Sequence, residues 1–161
     1  MIPIKIQPYF NTTLKEENGE NMLIEGLLTC CNDHAFEIFV VGEVKRRMFS
    51  DICLFPENDT IILEARCKKC GKIIPVFDSR SDGYEHCGEN QHTQIIAKPI
   101  HCRKCRNNTF SVRIKYEYSD VQEIKDLGIT EIDNSFTWIW ITLECNKCGK
   151  IYKNFIDFET T

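Results

Sequence analysis

The sequence predicts a mainly β protein made of two repeated units, with one short helix in the second. Three observations carry that prediction. The phrase CKKCGKIIPVF, starting at Cys67, returns as CNKCGKIYKNF from Cys145. Runs rich in β-branched and aromatic residues flank both copies. Ten cysteines stand in 161 residues, and most of them fall in close pairs.

Taken in order, residues 1–19 read as an N-terminal extension and 20–85 as the first unit. Residues 86–92 read as a linker loop and 93–161 as the second unit. In the first unit MLIEGLLT leads into a cysteine cluster at Cys30 and Cys31, and AFEIFVVGEV leaves it. TIILEARC leads into the Cys67 phrase and KIIPVFD leaves it. The second unit repeats the plan with TQIIAKPIHC, TFSVRIKYEYS, FTWIWITLEC and KIYKNFIDFE. Both early clusters run into a strand led by phenylalanine, Phe36 or Phe110. A period of this size marks a duplicated unit.

The helix is expected in SDVQEIKDLG. Ser119 is placed to cap it, Gln122 stands at the capping-box position, and Gly128 ends it. Val121, Ile124 and Leu127 give it a narrow apolar edge.

The cysteine spacing carries chemistry. In CxxC two thiolates on one tight turn reach the same tetrahedral ion, with Zn–S near 2.3 Å. The glycine after the second cysteine lets the backbone turn under the ion with positive φ. Thioredoxin-like redox chemistry instead wants the attacking thiol at a helix N-terminus, and here strands follow the motif. Two such turns at hairpin ends, supplying four ligands, resemble the zinc-ribbon family with its rubredoxin-like knuckles. The resemblance covers the knuckles and flanking strands of both halves and names no particular function.

In the second half this reading gives Cys102, Cys105, Cys145 and Cys148 as one ligand set. In the first, Cys67 and Cys70 form one pair, but CCNDH holds no CxxC. Cys31 and His34 keep the spacing, so the expected set is Cys31, His34, Cys67 and Cys70, with Cys30 as the rival of Cys31. The expected cofactor is zinc, two structural ions per chain. His86, Cys87 and His92 in the linker have irregular spacing and read as loop residues; Cys53 reads as a core thiol.

The formal charge is −4, which disfavours a general nucleic-acid binder, and four thiolates around a zinc add a further −2. Cations near the knuckles, among them Lys69, Arg103, Arg106 and Lys147, read first as compensation for that charge. Glu117, Asp120, Glu123 and Asp126 belong to an acidic insertion before Cys145, a candidate docking surface for a basic partner. Trp138 and Trp140 share one face of FTWIWITLEC, and apolar residues on both faces of that run predict burial on both.

The N-terminus shows no signal-peptide pattern and no run reaches membrane-span length, so a reducing cytoplasm is the expected compartment. The sequence shows no nucleophile–base pair, phosphate loop or carboxylate signature. The expected function is non-enzymatic: a zinc-binding protein-interaction module, in the manner of a small acidic inhibitor or immunity-type protein. The alternative is a nucleic-acid-binding ribbon using the knuckle cations and the tryptophans.

Overall fold

A computed structural model describes residues 1–48, 51–84, 95–128 and 132–160. The chain is mainly β, as its alternating apolar runs require. A 3-10 turn, Gln7–Tyr9, opens it, followed by β1 (Phe10–Asn18) and β2 (Asn21–Leu28). β3 (Phe36–Val41), β4 (Glu43–Arg46), β5 (Ile52–Phe55), β6 (Ile62–Cys67) and β7 (Ile73–Asp78) follow. The second half supplies β8 (Lys98–Pro99), β9 (Thr109–Tyr118), helix α1 (Val121–Asp126), a 3-10 turn at Ile132–Asn134, β10 (Trp138–Cys145) and β11 (Ile151–Glu159).

All strands except β4 and β5 join one nine-stranded sheet. The internal repeat shows in its register. β3, β6 and β7 form one antiparallel meander, with Phe36 opposite Cys67. β9, β10 and β11 form the other, with Phe110 opposite Cys145. The two meanders meet where Phe36 pairs with Phe110, so equivalent residues of the two copies face each other across an antiparallel seam.

The leading strands of the two copies are exchanged. β2, from the first half, pairs along β9 of the second from Met22–Tyr118 to Leu27–Arg113. β8, from the second half, pairs with β3 of the first at Val40 and Phe39. The Ile100 N–H donates to the Ile38 carbonyl at 3.0 Å and extends that exchange. β2 and β3 therefore lie one after the other along the same edge of β9, interrupted only by the Cys30 turn. The two halves share one ladder as well as one core.

Period-two alternation fills that core. Phe110, Val112, Ile114, Tyr116 and Tyr118 of β9 are buried, as are Ile139, Ile141 and Leu143 of β10. Aromatic rings join the halves: Phe77 lies 6.4 Å from Phe136 and 5.5 Å from Phe158, while within the second half Tyr116 lies 5.0 Å from Phe136. Cys53 is buried, and its thiol lies 3.7 Å from the Lys45 carbonyl. Gly42, at φ +141 between β3 and β4, cannot carry a side chain, because a Cβ would come within 2.7 Å of the Phe55 carbonyl oxygen.

The helix forms where it was expected, but its start differs. Asp120, at φ +50 and without a capping hydrogen bond, occupies the N-cap position. The Ser119 hydroxyl instead pairs with Thr137 Oγ1 at 3.0 Å, so it is committed to the sheet. Of the apolar edge only Ile124 is buried; Leu127 is exposed.

One core group predicts its own test. The Tyr116 hydroxyl is buried without a hydrogen-bond partner among the described residues. An unsatisfied buried hydroxyl costs roughly 1–3 kcal/mol. Tyr116→Phe is therefore expected to stabilise the fold by about 1 kcal/mol, read as a higher urea midpoint with unchanged m-value. Phe110→Ala, at the seam, should cost about 3–5 kcal/mol by the same measurement.

Candidate metal centres

Three of the four cysteine turns are the same backbone device. The Cys67 N–H donates to the Lys72 carbonyl at 2.8 Å, and the Gly71 N–H donates back to the Cys67 carbonyl at 2.9 Å. Cys145 with Lys150, and Gly149 with Cys145, repeat these bonds, each at 2.9 Å. Cys102 with Asn107, and Arg106 with Cys102, repeat them at 2.7 and 2.8 Å. In each turn the residue after the second cysteine has positive φ: 75° at Gly71, 69° at Gly149 and 62° at Arg106. A Cβ at Gly71 or Gly149 would meet nothing within 4 Å, so those glycines serve the dihedral and not space.

The fourth turn is different. Cys30 and Asp33 form an isolated antiparallel bridge, with their backbone groups bonded at 3.0 and 2.9 Å. The two residues between them, Cys31 and Asn32, both have φ of 55°. Two consecutive positive φ values are what a type I′ turn requires. This turn lets two adjacent cysteines deliver their sulfurs to one place.

The result is two groups of four thiols. Cys30, Cys31, Cys67 and Cys70 form the first, and Cys102, Cys105, Cys145 and Cys148 the second. Within each group every sulfur lies within 4.8 Å of the others. Resolved pairs are Cys30–Cys31 at 3.8 Å and Cys30–Cys70 at 3.7 Å. In the second group Cys102–Cys148 is 3.6 Å and Cys105–Cys145 is 3.5 Å. A tetrahedron with 2.3 Å metal–sulfur bonds has edges of about 3.8 Å. A disulfide needs about 2.0 Å, and the cysteines of both groups are free. Both groups fit a four-coordinate metal ion.

The second group is the set expected from spacing. In the first, Cys30 joins Cys31, and His34 does not. The His34 Nδ1 lies 3.1 Å from the Leu28 carbonyl, and its backbone N–H donates to Asp33 Oδ1 at 2.7 Å. The reason is the turn type: a two-residue I′ turn brings Cys30 and Cys31 together and leaves His34 beyond it. The sequence signal was CCND itself, since asparagine tolerates the left-handed region that this turn uses.

The surroundings of the two groups differ. In the second, the Arg103 N–H donates to the Tyr152 hydroxyl oxygen at 2.8 Å, and that hydroxyl lies 3.3 Å from Cys102 Sγ. The phenol can therefore point its own proton at the sulfur. Asn107 Nδ2 lies 3.7 Å from Cys145 Sγ. Burial alone would raise the Cys102 pKa. The Tyr152 hydroxyl and the N–H groups of Cys105 and Lys104 outweigh it and lower it to about 6. In the first group burial, reinforced by the neighbouring thiols, pushes Cys30 up to about 12. Cys31 and Cys70 are exposed, whereas no ligand of the second group is.

The expected partner residues divide. Glu117, Asp120, Glu123 and Trp138 line one groove of about 420 Å³ together with Tyr84 and Glu159. Asp126 is not among its lining residues; it accepts a hydrogen bond from Gln122 at 2.9 Å. Trp138 and Trp140 are stacked at 5.6 Å and 14°, with Lys115 4.8 Å from the Trp140 ring centre. Their face is only part-covered, which corrects the expectation of burial on both sides of β10. β10 is paired on both sides, by β9 and β11, and on its outer face Lys115 lies over Trp140 while the Trp138 indole N–H donates to Asp157. His86, Cys87, His92 and Glu131 lie outside the described residues.

No protein family, curated protein or solved structure matches the chain. No helix among the described residues is long and apolar enough to cross a membrane.

The unequal exposure predicts unequal metal release. A chromogenic chelator should withdraw metal in two phases of equal amplitude, the first site emptying first. Cys31→Ser should abolish the fast phase alone. Tyr152→Phe should speed the slow phase about 10-fold, the usual effect of removing a group that orients a metal ligand.

Proposed function

We propose that the chain is a zinc-binding, non-enzymatic protein-interaction module of a reducing compartment. The observation that carries this reading is the closure of both sites. Each offers four thiolates at tetrahedral spacing, the donor set and geometry that suit zinc. Four protein ligands leave no open position for substrate or water, so the metal's work is structural. Each ion ties two turns separated by about 40 residues, Cys30 to Cys70 in one half and Cys105 to Cys145 in the other. Closing such loops is where a metal clip contributes most.

The docking surface in this reading is the groove bounded by Glu117, Asp120, Glu123 and Trp138. Its carboxylates attract a basic segment, and the indole face accepts a lysine or arginine side chain. A small acidic inhibitor covering a basic protein would use such a surface. A second reading, nucleic-acid binding, draws on the stacked Trp138 and Trp140 beside Lys115. That reading expects retention on single-stranded DNA at low salt, lost steeply as salt rises.

Two measurements test the proposal. Native mass spectrometry should find two zinc ions per chain, and one in Cys145→Ser; a chain that folds and binds with no zinc overturns the metal reading. For the groove, an arginine-rich peptide should quench Trp138 emission saturably in low salt. Reversing Glu117 and Glu123 to lysine should weaken that binding at least about 10-fold, about 1.4 kcal/mol. Unchanged binding in the reversed variant removes the groove as the docking site.

A further inference from the structure

We propose that a second cleft, beside the Cys102–Cys105 turn, binds a sugar phosphate, with Arg103 and Arg106 holding the phosphate. The cleft has a volume of about 460 Å³. It shares no lining residue with the acidic groove, so the proposal goes beyond the protein-docking reading.

The first observation is Arg106. Three turns share one backbone geometry, and two of them place glycine at the positive-φ position. The third places an arginine there, at φ 62°. A residue with a Cβ is strained in that region, and such strain concentrates where the side chain has a task. Within the described residues the Arg106 side chain makes no hydrogen bond or ion pair, and it lines the cleft. No side-chain hydrogen bond or ion pair among the described residues therefore offsets the strain.

The second observation is the company it keeps. Lys98, His101 and Arg103 line the same cleft, are exposed, and have no side-chain partner among the described residues. Neither arginine side chain is bonded to a thiol of the second group. The second metal group's sulfurs are contacted by Tyr152 and Asn107, not by guanidinium groups. Two guanidinium groups on one short turn can each present paired N–H donors to a phosphate.

The third observation narrows the ligand. Val40, Val44, Ile52 and Ile100 give the cleft an apolar lining. Glu43 and Glu57 also line it; Glu43 is already paired with Lys45 at 3.2 Å. A ligand suited to it has an anionic end for the arginines and hydroxyl or amino donors for a carboxylate. A volume of this order holds one nucleotide-sized molecule rather than a polymer. A phosphorylated sugar or nucleoside has this combination, whereas a bare inorganic anion does not. The equivalent turn of the first half, Cys30–Asp33, has no arginine or lysine. The site belongs to one copy of the repeat only.

The test is calorimetric titration of the zinc-loaded chain at low salt. The probes are adenosine 5′-monophosphate, adenosine, inorganic phosphate and a 5′-phosphorylated ten-residue oligothymidylate. The monophosphate should bind at one site with Kd below about 1 mM, adenosine should not bind, and inorganic phosphate should bind more weakly. Arg103→Gln should weaken the monophosphate at least about 10-fold.

Arg106→Gly separates function from folding. Glycine suits the turn, so this variant should unfold at the same or a higher temperature while losing binding at least about 10-fold. An oligonucleotide no tighter than the monophosphate assigns the site to free sugar phosphates. A much tighter oligonucleotide with a steep salt slope would make the site a strand-binding surface and overturn the proposal. No saturable binding of any phosphate probe, or undiminished binding in both arginine variants, overturns the proposal.

Discussion

Everything in this fold depends on where two pairs of strands are in register. Phe36 stands opposite Cys67, and Phe110 stands opposite Cys145. Side chains alternate along a strand, so a one-residue slip of β6 or β10 would turn Cys67 or Cys145 away from the interior that Phe36 and Phe110 fill. With the register as it is, the cysteine enters the interior at the end of its hairpin. The turn that follows then presents the second thiol to the same point. The core packing and the gathering of four sulfurs at one point thus use the same alignment.

The same two phenylalanines make the seam between copies. Because Phe36 pairs with Phe110, the copies are joined by backbone bonds at their equivalent positions. The exchanged strands extend the join: β2 completes the second meander and β8 completes the first. The Cys30 and Cys102 turns each follow a strand that the other copy holds in place. The two cysteine groups are thereby joined through one continuous sheet. The copies have diverged on their surfaces, where one carries a strained arginine and an acidic helix that the other lacks.

Much of this was legible in the sequence. The repeated phrase identified the duplication, and alternating runs placed the strands, because burial of one sheet face leaves a period of two in the residues themselves. The Cys102, Cys105, Cys145 and Cys148 group followed from spacing, since CxxC on a tight turn brings two sulfurs together. What was not legible depends on contacts distant in the chain. The Cys30–Cys31 pair needs a type I′ turn, and spacing alone favoured His34. The exchange of β2 and β8 leaves no local pattern. The outer face of β10 looks apolar in sequence, yet Trp138 and Trp140 are only part-covered among the described residues. Ser119 has the pattern of a cap but serves Thr137 instead.

In the proposed reading both sites hold zinc through four thiolates, with Cys30 a ligand and His34 outside the first site. X-ray absorption at the zinc edge of the fully loaded protein tests it most directly. Four thiolates at each site give a single shell of four sulfurs at about 2.3 Å. A shell averaging three and a half sulfurs and half a nitrogen, with imidazole scattering, would contradict it by returning His34 to the first site.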